Sequence, residues 1–221
     1  MSYNIAIDGP AGAGKSTIAK AFAKDMGFIY VDTGAMYRAM GMYFNNEGIK
    51  PEELDKIEEG CKNVDVSITY ENGKQLVWLN GKDVSEKIRT EEAGGWASTY
   101  AVIPIVREKL VQLQQKLATT ANIVMDGRDI GTVVLPNADL KIYLTASVKE
   151  RASRRYKELI EKGLDVTIDE IEKEIEERDY RDMHREVSPL KQAEDAIVVD
   201  TSDMNIEQAA KAIKDLFEEY K

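Results

Sequence analysis

The chain has 221 residues, 43% of them hydrophobic, and a formal charge of −10. That length fits one large domain or a core with small insertions, and the acidic balance argues against nonspecific binding of nucleic acid or a membrane surface. A single cysteine, Cys61, excludes an internal disulfide and points to a reducing compartment; no apolar run approaches membrane-spanning length, and no basic, apolar leader opens the sequence.

Short apolar runs alternate with helical patterns. Strands are predicted at 4–7, 28–31, 122–125, 140–144 and 196–199, and a helix over 205–220 closes the chain. This alternation predicts an α/β fold, a five-stranded parallel sheet with helices on both faces. After the first strand comes Gly9-Pro10-Ala11-Gly12-Ala13-Gly14-Lys15-Ser16-Thr17, which fits G-x-x-x-x-G-K-[ST] at every fixed position. A helix is predicted from Ser16 to Lys24. Glycines let backbone N–H groups wrap an anion, and the helix N-terminus adds positive charge. Lys15 can reach β- and γ-phosphates, and the Ser16 hydroxyl can ligate Mg²⁺.

Asp32-Thr33-Gly34-Ala35-Met36-Tyr37-Arg38 follows the second strand and begins a helix. Asp32 or Thr33 can cap it, and Arg38 can reach back to an anion. Next, Val64, Val66, Ile68 and Tyr70 alternate with polar residues. Asn72-Gly73, the apolar segment 75–79 and Asn80-Gly81 follow. Two Asn-Gly turns predict a small antiparallel meander, too short to be a domain. Asp126-Gly127-Arg128-Asp129 follows the third strand. Ligands of open α/β sheets bind beyond the carboxyl ends of strands, so these segments can converge on one crevice.

Arg151, Arg154 and Arg155 share a helical face, as do Arg178, Arg181, Asp182 and Arg185 on a second helix with an apolar stripe at Ile168, Ile171 and Ile175. Guanidinium suits bidentate phosphate binding. The alternative is surface salt bridging to nearby glutamates. The acidic stretch 169–177 is explained by a solvated face, and the lone histidine, His184, cannot define a metal site.

Together, the phosphate loop, the Asp32–Arg38 and Asp126–Thr132 segments, Arg89-Thr90-Glu91-Glu92 and Glu177-Arg178-Asp179-Tyr180-Arg181-Asp182 resemble the bacterial cytidylate (CMP) kinases. These belong to the nucleoside-monophosphate kinase group of P-loop proteins. The resemblance covers essentially the whole chain. It implies one P-loop NTPase-type kinase domain over 1–221, with a β insertion at 60–88 in the monophosphate-binding region and a helical lid at 151–166. It further implies that Gly9 to Thr17 hold ATP with Mg²⁺, and that Ser98, Arg107 and Asp129 read the pyrimidine base. Tyr37, Arg178 and Asp182 would hold the sugar, and Arg38, Arg128 and Arg185 the acceptor phosphate. Thr33 lies in the same substrate-binding motif. Lys15, Arg128, Arg154 and Arg155 would serve the transferring phosphate. The implied reaction is ATP + CMP (or dCMP) ⇌ ADP + CDP (or dCDP), by a cytoplasmic monomer whose partners are small nucleotides rather than nucleic acid or membrane. UMP, AMP or shikimate are alternative acceptors. A GTPase switch would carry an Asn-Lys-x-Asp guanine motif, which the chain lacks.

Overall fold

A computed structural model describes residues 2–71 and 74–220. The chain forms two compact units, one comprising residues 1–29 and 122–221, the other 30–121.

The first unit carries β1 (Asn4–Asp8), α1 (Lys15–Met26), β6 (Ile123–Gly127), β7 (Leu140–Thr145), α6 (Val148–Glu161), α7 (Ile168–His184), β8 (Ile197–Asp200) and α8 (Ile206–Tyr220). With β2 (Ile29–Asp32), the strands form a five-stranded parallel sheet in the order β2-β6-β1-β7-β8. Asp8 pairs with Gly127 on one side and with Tyr143 on the other, so β1 and β6 end level while β7 runs two residues further, to Thr145. Each strand begins within one residue of its predicted start and runs one or two residues further, into polar residues at its carboxyl end. Ile5 and Ile7 are fully buried. Phe22 of α1 and Phe217 of α8 meet edge-to-face, with Tyr3 and Phe28 completing an aromatic cluster. Helix α7 starts in a capping box. The Thr167 hydroxyl accepts from the Glu170 N–H, and the Glu170 carboxylate accepts from the Thr167 N–H. Its Ile171 and Ile175 bury against Ala152 and Leu159 of α6, while Ile168 is exposed.

The second unit carries α2 (Thr33–Asn46), α3 (Leu54–Asn63), β3 (Val66–Glu71), β4 (Lys74–Leu79), β5 (Lys82–Asp83), a 3₁₀ turn (Lys87–Arg89), α4 (Glu91–Tyr100) and α5 (Pro104–Ala118). The three short strands form the expected antiparallel meander. Asn80 and Gly81 both take positive φ, 49° and 73°, as a two-residue hairpin turn requires. The predicted Asn72-Gly73 turn lies outside the described residues. Met36, Met40, Phe44, Ile57, Ile88 and Leu110 fill the core of this unit. Gly41 lets α2 approach α4 closely, since a Cβ there would lie 2.8 Å from the Trp96 backbone carbon.

Among the described residues, no helix is long and apolar enough to cross a membrane.

Candidate active site

The phosphate loop follows from where β1 stops. Gly9 takes φ 146°, and a Cβ there would lie 1.9 Å from the Leu144 carbonyl oxygen, so only glycine lets the chain turn off the sheet at this point. Gly12 and Gly14 are left-handed, with φ 75° and 88°. Gly14 is also the N-cap of α1, so the loop delivers its N–H groups to a helix N-terminus. Lys15, 6% exposed, curls back to donate to the Pro10 carbonyl at 2.7 Å. Burial, then the nearby Arg128 guanidinium, pushes its ammonium well below the ordinary lysine range, against the pull of Asp126 and Asp8.

Two features show that these residues fit a magnesium nucleotide. Gly12 and Gly14 carry the loop through left-handed backbone into the N-terminus of α1, a conformation in which successive N–H groups can face one anion. Beside the loop, the Ser16 hydroxyl donates to the Asp126 carboxylate at 2.7 Å. Hydroxyl and carboxylate oxygens together are a hard donor set suited to Mg²⁺. Asp126 was visible in the sequence only as part of a motif. Its role depends on pairing across 110 residues, and the signal that could have found it is an aspartate closing the strand next to β1.

Of the three arginines expected to share one face of α6, Arg151 does something different from the other two. It is 4% exposed and pairs with Asp179 of α7 at 2.7 Å. Its Nε donates to Ala146 O at 2.9 Å and its Nη1 to Ala11 O at 3.0 Å, which supports the phosphate loop from beneath. Arg154 lies over Gly14 and is held by Glu150 and the Thr201 carbonyl. Arg155 pairs with Glu158 at 3.1 Å on the exposed side of the helix. Thr201, 1% exposed, accepts from Arg154 and donates to Thr145 O; no local sequence pattern singles it out.

The Asp126–Asp129 segment and the end of α7 are joined by ion pairs. Arg128 Nε donates to Asp182 at 2.8 Å. Burial raises the Asp182 carboxyl, but Arg128, Arg178 and Arg185 together hold it below the usual aspartate range. Arg178 acts on both Asp182 and Lys15. Arg185 lies 3.9 Å from the buried Asp129. Contrary to expectation, Arg185 is not on the helical face. Helix α7 ends at His184, and Arg185 is extended (φ −65°, ψ 143°), with its Nε donating to Ser188 O. His184 stacks on Tyr180, which accounts for it structurally.

In the second unit, Asp32 caps α2, accepting from the Ala35 N–H, and also pairs with Arg38 at 3.1 Å. Gln75 of β4 exchanges hydrogen bonds with the Asp32 backbone, so the meander fixes the start of α2. Thr33 is buried in the first turn. Arg107, 3% exposed, spans the Tyr37 ring at 5.4 Å and donates to Ala101 O. Ser98 is exposed, and its hydroxyl donates to Gly94 O.

Comparison with known proteins agrees with this geometry. Residues 5–219 match the family described as Cytidylate kinase. The chain is 53% identical to a Cytidylate kinase of Caldicellulosiruptor saccharolyticus over 97% of its length and 95% of the relative's. It is also 53% identical to one of Streptococcus pneumoniae, covering 96% of each. In fold it is similar to an uncharacterized protein from Eubacterium ventriosum, with a TM-score of 0.55 at 14% identity over 99% of both chains. With this coverage and identity, the chain belongs to the cytidylate kinase family.

Proposed function

We propose that the protein transfers the γ-phosphoryl group of ATP to CMP and dCMP, giving ADP with CDP or dCDP. The observation that carries this reading is the buried Lys15 beside the Ser16–Asp126 pair at the end of the glycine loop. Residues 9–17 bind the donor phosphates. When bound, Mg²⁺ held by Ser16 and Asp126 supplies charge that neutralises the β- and γ-phosphates. An acceptor phosphate oxygen attacks the γ-phosphorus in line, the bond to the β–γ bridging oxygen breaks, and ADP departs with those electrons. The acceptor oxygen is already anionic at neutral pH, so no general base is required. Lys15, Arg128, Arg154 and Arg155 stabilise charge on the transferring group.

On the acceptor, Arg38, Arg128 and Arg185 bind the monophosphate. Tyr37, Arg178 and Asp182 bind the sugar, with Thr33 at the same motif. Ser98, Arg107 and Asp129 read the base. A carboxylate accepts from the cytosine exocyclic amine and faces the uracil carbonyl with like polarity. The whole chain acts as one kinase domain, with residues 60–88 as the monophosphate-side insertion and 151–166 as a lid that excludes competing water. It works as a cytoplasmic monomer. Coupled ADP-release assays across CMP, dCMP, UMP, AMP and shikimate test the reading. Preference for CMP and dCMP is expected, and turnover led by any other acceptor overturns it.

A further inference from the structure

The residue just before the phosphate loop, Asp8, is buried at the carboxyl end of β1. Its Oδ1 accepts the Ile130 N–H at 2.8 Å and its Oδ2 accepts the Gly131 N–H at 2.7 Å. These two amides open a π-helical turn over Ile130–Val134, closed by a five-residue hydrogen bond from Leu135 N–H to Ile130 O. The first N–H groups of any helix have no partner within it, so the carboxylate caps this turn from another strand. A π turn is a rare form, costly to hold without such support.

The turn begins directly after Arg128 and Asp129. Asp8 itself is joined to Gly9, the glycine that turns the chain off the sheet. One carboxylate therefore touches two backbone segments, one leading into the donor loop and one leading out of Arg128–Asp129. The other side of the turn is closed as well. A Cβ on Gly131 would meet the Lys141 side chain at 3.1 Å and Asp8 Oδ2 at 3.4 Å. The buried Lys141 is tied by its ammonium to Pro136 O and Asp195.

We infer that Asp8 is a positioning residue that fixes the Arg128–Asp129 segment relative to the phosphate loop, and so sets the alignment of acceptor with donor. This deepens the kinase reading and rests on it. In-line transfer needs the reacting atoms aligned within a fraction of an ångström, and displacement of about 1 Å costs on the order of a hundredfold in rate. Asp8 touches neither nucleotide in this account. It acts through the two amides.

The test uses Asp8→Asn, which keeps the shape and one acceptor but turns an amide donor toward the second N–H. In the free protein, hydrogen exchange at Ile130 and Gly131 should accelerate while exchange in β1 and β7 stays slow. In the kinase assay, kcat with CMP should fall by about tenfold or more, with the KM for ATP changing less than about threefold. The CMP/UMP ratio should narrow. Combined with Arg128→Ala, the second substitution should add little, because both act on one segment. Should Asp8→Asn fail to fold, Gly131→Ala presses on the same turn from the Lys141 side and should give the same pattern. Unchanged exchange at both amides, a loss confined to thermal stability, or full additivity with Arg128→Ala each overturns the inference. Wild-type protein inactive on CMP overturns the kinase reading instead, and the exchange measurement still decides whether Asp8 holds the turn.

Discussion

Replacing Arg151 with methionine separates support of the phosphate loop from phosphate binding. Its guanidinium is 4% exposed and 2.7 Å from Asp179, whose side chain is 12% exposed. Asp179 Oδ1 has no hydrogen-bond partner of its own, so the substitution strands a nearly buried carboxylate. Unit charges about 4 Å apart interact by about 4 kcal/mol at an effective dielectric of about 20. Breaking one side of a buried pair typically costs about 3–5 kcal/mol. Urea unfolding of Arg151→Met should show that loss, a large part of the roughly 5–15 kcal/mol that holds a domain together. Adding Asp179→Leu should recover most of the stability, because an apolar pair replaces a stranded charge. It should not recover the KM for ATP, because Ala11 O still lacks the Arg151 donor. A cost under about 1 kcal/mol would mean the pair behaves like a surface one. Full recovery of the ATP KM in the double variant would remove the proposed support of the loop.

Four other outcomes are expected. Lys15→Met should keep the fold and lower kcat by about a hundredfold or more, and near-normal turnover would remove Lys15 from the transferring site. Asp129→Ala should narrow a CMP/UMP preference of roughly ten- to a hundredfold in kcat/KM, mainly by lowering CMP use, whereas equal losses on both would leave Asp129 no part in base choice. Gly41→Ala forces α2 and α4 apart and should cost about 1–3 kcal/mol, lowering the thermal midpoint by several degrees; an unchanged midpoint contradicts the packing. Burial raises the Asp8 carboxyl from 3.8 to about 6, against the two backbone N–H bonds. A raised carboxyl stabilises the fold fully below 3.8 and loses that contribution as pH rises through about 6. Relative to Asp8→Asn, the wild type should therefore gain about 2 kcal/mol in urea unfolding between pH 7 and pH 4, and a flat difference refutes it.

The fold was legible because its strands are short buried runs, and a run of apolar residues reports burial directly. The same signal stops early. β1, β2, β6, β7 and β8 end in Asp8, Asp32, Gly127, Thr145 and Asp200, polar or small residues that carry no apolar mark. Between β1 and β6 the ladder continues past the apolar run, pairing Ile7 with Asp126 and Asp8 with Gly127, and so places Asp126 where it meets Ser16. The donor loop was legible as well, since its glycines and lysine lie within a few positions of one another. Partnerships across long separations were not. Nothing near Asp8 in sequence points to Ile130, nothing near Ser16 to Asp126, and nothing near Arg151 to Asp179. The end of α7 is hidden in the sequence for a related reason. Helical spacing continues through Arg185, but the backbone leaves the helix there and Arg185 instead binds the Ser188 carbonyl.

Two readings of the arginines stood side by side in the sequence, phosphate binding and salt bridging to nearby acids, and they are not exclusive. Arg38 is paired with Asp32, Arg128 with Asp182, Arg154 with Glu150 and Arg155 with Glu158. Two of these partners, Glu150 and Glu158, lie one helical turn away on the same helix. The other two come from a helix cap and from another helix, and those carboxylates are themselves anchored. A carboxylate bonded to one face of a guanidinium leaves its remaining N–H groups directed and its rotamer fixed, so a phosphate meets a cation whose ordering cost is already met. Under the proposed assignment of these arginines, the partner would also limit affinity, because the phosphate would share the cation with an acid. An enzyme that must release a charged product gains from that balance. Arg155 pairs with Glu158 one turn along the same helix, and an ion pair between neighbours on one helix moves with that helix, as the proposed lid motion of 151–166 would require.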